Sequence, residues 1–358
     1  MPAYAASVVA FLITATLLLA LRPLASAIGL VDHPGGRKTH NGVVPVIGGI
    51  SMLGGLLIAA LMGGALGHPG IVVLLTAIFM VLIGALDDRF NLAPLYRLFG
   101  QAAAAIALVY GTGFLVADLG DLLGFGTIGL GWLALPFTVV ACVALVNAFN
   151  MLDGLDGLAG GCGLVAFLGL SVMAILNDAQ TSALLSASLL GACIGFLIFN
   201  IPARFNRGLR TFMGDAGSTL LGFMLAGIGL ILVQPSRADI PPVFILWMMP
   251  IPIFELFTTT ARRLVRGHSP VRGDSDHFHH LFTRAGFSVR LIFAMYGGVS
   301  LLSAWGSVAA LQYGVPEPVM FGLFVLFFAL WLAFARIAPA IGERLPASLR
   351  REVENLPI

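Results

Sequence analysis

Residues 70–88 read GIVVLLTAIFMVLIGALDD: sixteen residues without a charge, Ile71 to Leu86, and then two adjacent carboxylates, Asp87 and Asp88. Wound as a helix at about 1.5 Å per residue, a run of this length approaches the ~30 Å of a bilayer's hydrocarbon. Runs of this kind recur along the whole chain. Eleven can be counted, at approximately 4–21, 46–66, 70–86, 97–113, 132–149, 159–176, 182–199, 218–234, 242–261, 291–312 and 319–336. In lipid every backbone N–H and C=O must be paired internally, and the runs lack the ~10-residue alternation of a membrane barrel. The expectation is therefore an all-α integral membrane protein, a polytopic bundle of about eleven transmembrane helices. Composition agrees: 59% of the 358 residues are hydrophobic and only 10% charged, which excludes an ordinary soluble domain.

The first run resembles a signal peptide, with Ala25-Ser26-Ala27 as a cleavage-like site, but no Lys or Arg precedes it and Arg22 follows it. That order suits a retained span with its amino terminus outside. Eleven crossings then place 22–45, 87–96, 150–158, 200–217, 262–290 and the tail on one face. Of the 19 Lys and Arg, all but Arg237 fall on that face or at its span ends, so the face is expected to be cytoplasmic. No repeat or soluble module is visible, so residues 1–338 read as one transmembrane domain and 339–358 as a cytoplasmic tail. Cys142, Cys162 and Cys193 lack metal-ligand spacing and read as buried free thiols.

The same topology gathers the unusual acids on the inner face. Asp87 and Asp88 repel each other at a membrane boundary and call for a cation or a proton. In VNAFNMLDGLDGLAGG (146–161), Asp153 and Asp156 are three apart, a spacing that puts both on one side of a helical turn, among glycines that let a ligand approach the backbone. In TFMGDAGS (211–218), Asp215 is placed like a helix cap and is equally suited to Mg²⁺, while Arg204, Arg207 and Arg210 precede it as topological anchors or phosphate contacts. His277, His279 and His280 lie beside Asp274 and Asp276. Their spacing is unlike a zinc site and suits phosphate or hydroxyl recognition. Arg37, Lys38 and His40 in the first inner loop could neutralise phosphates. Glu255 is an intramembrane charge without an assignable partner. Hard oxygen ligands suit Mg²⁺ or Mn²⁺ bridging carboxylates to substrate phosphates, so the chemistry indicated is phosphoryl transfer at the inner membrane surface. An ion-coupled transporter is the rival class, but its carboxylates would lie near the midplane.

Four motifs in order, LDDRFNL, NAFNMLDGLDGLAGG, TFMGDAGS and DHFHHLFTRAGFS, closely resemble the polyprenyl-phosphate N-acetylhexosamine-1-phosphate transferases of glycosyltransferase family 4, over about residues 30–290. The resemblance implies attack of undecaprenyl phosphate on the β-phosphorus of a UDP-amino sugar, giving UMP and a lipid-diphospho-sugar at the first membrane step of a cell-envelope glycan pathway. The HFHH run at 277–280 looks like the histidine motif of the N-acetylglucosamine branch, with Phe278 where Ile is usual. It favours UDP-N-acetylglucosamine over the muramoyl-pentapeptide reaction and leaves other N-acetylated sugars open. Carried over by position, Asp87 and Asp88 are the catalytic acidic pair. Asp215, with Asp88, is the Mg²⁺ site. Asp153, Asp156 and Asn150 line the nucleotide side, Phe212 stacks on uracil, and Asn200 lies near the nucleotide. His277, His279 and His280 contact sugar or diphosphate. The expected setting is the bacterial inner membrane, with the site facing the cytoplasm, no nucleic-acid partner, and a homodimer left open.

Overall fold

The structure is a computed structural model that describes residues 1–33, 42–201, 208–236, 239–267, 277–346 and 349–350. It is a helical bundle. In chain order the helices are α1 (Ala3–Ile28), α2 (Gly48–Gly63), α3 (Gly70–Phe90), α4 (Pro94–Thr112), α5 (Ala134–Leu152), α6 (Leu158–Leu176), α7 (Gln180–Asn200), α8 (Gly214–Leu232), α9 (Pro242–Leu246), α10 (Pro250–Val265), α11 (Phe278–Arg284), α12 (Val289–Gln312) and α13 (Glu317–Gly342). Between α1 and α2, β1 (Val31–Asp32) pairs antiparallel with β2 (Val44–Pro45).

Helix ends fall where local chemistry puts them. Gly29, Gly64 and Gly113 take left-handed backbone just after α1, α2 and α4, and their amides bond back to the last carbonyls. Pro94 opens α4, where its missing N–H costs nothing. The Ser288 hydroxyl accepts the Leu291 amide at the start of α12.

Eight helices among the described residues are long and apolar enough to cross a membrane: α1, α3, α5 with the turn before it, α6, α7, α8, α12 and α13. The protein is thus a mostly helical, polytopic membrane protein. The ninth apolar run, read above as one span, is two helices. Met249 leaves helical geometry at φ −139° and ψ 46°, and Pro250 and Pro252, which lack amide donors, start α10 afresh. Past the boundary expected at 338, α13 continues to Gly342, and the Leu349 carbonyl accepts the Ser288 amide at 3.1 Å, folding the tail against the start of α12.

The axis of the bundle is α8, buried from Ala216 to Leu232. It packs against α2, α3, α5, α6 and α7, while α1 and α13 are peripheral and expose Val8, Leu12, Leu323, Leu326 and Leu330 outward. Helices in lipid gain little from hiding apolar surface and associate instead by close backbone approach at small residues. Gly84 of α3 lies against the backbone of Asp215 and Ala216, and Gly49 of α2 against Ala216 and Gly217. These approaches bring α3 onto the first turn of α8, where Asp88 and Asp215 meet.

Candidate active site

Asp88 closes the junction. Its Oδ1 accepts the Asp215 amide at 2.7 Å and its Oδ2 the Ala216 amide at 3.0 Å. The amino end of α8 is therefore capped by a carboxylate from α3, and Met213, its own N-cap residue, contributes no side-chain bond. Asp215 is not the cap, as its position in the sequence allowed. It stands in the first turn with its carboxylate free to face the site, accepts a hydrogen bond from Asn150 Nδ2 of α5, and lies 3.8 Å from Arg97. Asn150 also reaches Ser218 Oγ at 3.2 Å.

Asp87 is only 4% exposed. One oxygen accepts the Leu92 amide at 2.8 Å and the other the Arg97 guanidinium at 2.7 Å. Arg97, at the start of α4, thus stands between Asp87 and Asp215. In the sequence Arg97 is one basic residue among many, and the only local signal is its place ten residues after Asp87.

The 153–157 loop supplies the second pair. Arg210 forms an ion pair with Asp156 and lies with its Cζ 5.0 Å from the centre of the Phe212 ring, so this arginine, expected as an anchor or phosphate contact, is tied to the acidic loop. Asn200 Oδ1 accepts the Gly157 amide at 2.6 Å and its Nδ2 donates to the Thr211 carbonyl at 2.9 Å. That fastens the loop to the strand-like segment holding Phe212, whose amide bonds the Pro45 carbonyl. Asp153 is exposed to solvent, yet its pKa is pushed up to about 8 by desolvation in the crowded cleft, then by the charges of Asp215, Asp88 and Asp156.

The histidine run lies against this loop. His279 is fully buried, His277 nearly so, and His280 half-buried. The His277 and His279 rings are parallel at 5.4 Å, and His280 packs on His279 at 4.3 Å. Desolvation first, then the neighbouring His279, His277 and Arg284, push the His280 pKa down to about 4, so this imidazole is neutral at physiological pH. Lys38, Arg37, His40, Arg204, Arg207, Asp274 and Asp276 lie outside the described residues.

The donor set fits a hard divalent cation that also binds substrate. Asp88 and Asp153 have no ion-pair partner among the described residues, and their crowding beside Asp215 favours either a bound proton, as the raised Asp153 pKa shows, or a bound cation. No three His, Cys, Asp or Glu side chains among the described residues are arranged to hold a metal unaided. Mg²⁺ is commonly held by one or two carboxylates with substrate phosphates completing its shell.

The helix ends of this membrane bundle thus bring paired aspartates, an arginine and a histidine run together at one end of the bundle. The description of glycosyl transferase family 4 matches residues 70–233. The chain is 37% identical over 324 residues to an undecaprenyl-phosphate alpha-N-acetylglucosaminyl 1-phosphate transferase of Escherichia coli, covering 90% of this chain and 88% of that one. Proteins of the same description match from Yersinia pestis, at 36% over 322 residues, and from Haemophilus influenzae, at 38% over 312, each with 88% of the relative covered and 90% and 87% of this chain. The chain belongs to glycosyl transferase family 4.

Proposed function

We propose that the protein transfers N-acetylglucosamine 1-phosphate from UDP-N-acetylglucosamine to undecaprenyl phosphate, releasing UMP, at the cytoplasmic face of a bacterial inner membrane crossed eleven times with the amino terminus outside. The observation that carries this reading is the bond from Asp88 to the Asp215 and Ala216 amides. It unites two motifs 127 residues apart into one acidic site, in a chain identical at more than a third of the aligned positions to relatives named for that reaction. In the reaction, an oxygen of the lipid phosphate attacks the β-phosphorus, the bridging P–O bond breaks, and its electron pair leaves with UMP.

Asp215 and Asp88 would hold Mg²⁺, which supplies charge neutralisation of the diphosphate. Asp87, with both oxygens engaged, serves as the anion that aims Arg97 at the transferring phosphate. The lipid phosphate ionises near pH ~6 and needs little help. Asp87→Asn is expected to lower kcat about 10²-fold with a far smaller change in KM for the donor; unchanged turnover removes the assignment. A cavity of about 570 Å³ between α5, α8, α9 and α10, lined by Phe137, Leu145, Leu225, Leu246, Ile253 and Phe257, suits the prenyl tail. It begins at Leu145, within two helical turns of Asn150.

Because Asp153 binds a proton with a pKa near 8, a cation entering beside it competes with that proton. Apparent Mg²⁺ affinity is therefore expected to fall as pH drops below 8, by roughly tenfold from pH 8 to pH 6.5. In weak buffer at pH 7, adding Mg²⁺ to EDTA-treated protein should release protons, and Asp153→Asn should suppress the release. Incubating the purified protein with undecaprenyl phosphate, Mg²⁺ and a panel of UDP-sugars tests the whole reading. UMP should appear with UDP-N-acetylglucosamine, and substrate-dependent flux in proteoliposomes without UMP would favour a transporter.

A further inference from the structure

Glu255 of α10 takes no part in the chemistry above, yet it is fully buried. A carboxylate in such a place is costly unless its lone pairs are met. Three donors meet them: the Phe278 amide at 2.9 Å on Oε2, and the His279 amide at 3.3 Å and Tyr296 hydroxyl at 3.0 Å on Oε1. The first turn of α11, whose N-cap residue His277 makes no side-chain cap bond, is thus capped from another helix. Glu255 also faces imidazoles, with Nδ1 of His279 at 3.5 Å and Nδ1 of His277 at 3.9 Å. One turn along, Thr259 Oγ1 is 3.4 Å from His277 Nδ1.

Beyond His279 lies the acidic loop. Its Nε2 points at Gly154, so closely that a Cβ at that position would overlap it, and among the described residues neither ring nitrogen has a hydrogen-bond partner. A carboxylate facing Nδ1 favours the tautomer protonated there and leaves Nε2 as an acceptor on the loop side. Phe278 and Phe282 also lock α11 into an aromatic cluster with Trp331, Phe334 and Tyr296, so Glu255 adds a polar anchor to a helix that apolar packing already holds.

We infer that Glu255 is a positioning residue for donor binding: by pinning the first turn of α11 and the stacked His277 and His279 rings against Gly154, it fixes how the histidine run and the acidic loop stand together to receive the sugar end of the UDP-sugar. This rests on the transferase reading.

The test uses the full chain in detergent or nanodiscs, comparing wild type with Glu255→Gln. KM for UDP-N-acetylglucosamine is expected to rise about tenfold or more, as for other partners that orient a ligand-binding histidine. KM for undecaprenyl phosphate and affinity for UMP, which lacks the sugar, should stay within about twofold of wild type on the same argument. Tyr296→Phe removes one hydrogen bond to Glu255 while keeping the ring, and should give the same pattern at smaller size. It carries the comparison if Glu255→Gln does not survive purification. A parallel rise in both KM values and in the UMP dissociation constant overturns the proposal. Diethyl pyrocarbonate labelling provides a readout independent of turnover: His277 and His279 should be protected in wild type and modified in Glu255→Gln, and equal labelling also overturns it. Should wild type release no UMP from any UDP-sugar, the transferase reading fails by itself, and the labelling result still decides whether Glu255 holds the histidines.

Discussion

Replacing Asp215 by asparagine is expected to lower UMP release by about three orders of magnitude, roughly 4 kcal/mol of transition-state stabilisation, while the protein stays folded. The reason is a division of labour in the first turn of α8. The Asp215 backbone amide satisfies Asp88, and asparagine keeps that amide; only the carboxylate facing Asn150 and Arg97 is lost. Thermal unfolding in detergent should therefore match wild type. Asp88→Asn differs, because its carboxylate accepts two amides at the helix end, and losing that anionic cap costs about 1 kcal/mol of stability in addition to rate. Near-normal turnover by Asp215→Asn would remove Asp215 from the chemistry altogether.

The second large effect is architectural. A methyl group at Gly84 would collide with the Ala216 backbone and approach the Asp215 carbonyl oxygen at 2.7 Å. Because the obstacles are backbone, no rotamer change relieves them, and α3 has to move away from α8 and carry Asp88 off its two amides. Gly84→Ala is expected to cost about 3 kcal/mol, the upper end for overpacking. It should also lower activity per folded molecule, since site and packing share one contact. Gly297→Ala is the control, as nothing lies within 4 Å of a Cβ there. Size-exclusion profiles and specific activity of the folded fraction measure both. A Gly84→Ala protein as stable and active as the control would mean that the α3–α8 approach is looser than described.

Much of this was legible in the residues. Long uncharged runs identify membrane helices because lipid admits few alternatives, and α3, α5, α6, α7 and α8 lie where the runs are. The break before Pro250 escaped because hydropathy carries no dihedral information, although the two prolines announced it. Sorting charges to one face picks out the acids, and the structure bonds Asp215 to both Asp88 and Asn150. What each acid touches was not readable. The partners of Asp88 lie 127 residues away, those of Glu255 come from α11 and α12, and Arg97 looked like an ordinary topological anchor. Such pairings are products of helix packing, and no local pattern encodes them.

The interrupted ninth segment has a last consequence. Val243, Leu246, Met249 and Ile253, on both sides of the break, line the apolar cavity beside α5 and α8. On the transferase reading, an acceptor entering there never leaves the bilayer, so the encounter is two-dimensional. The quantity the catalyst senses is then acceptor per unit of membrane area, and diluting that lipid with inert phospholipid throttles the reaction even when the total amount of every reactant in the vessel is unchanged.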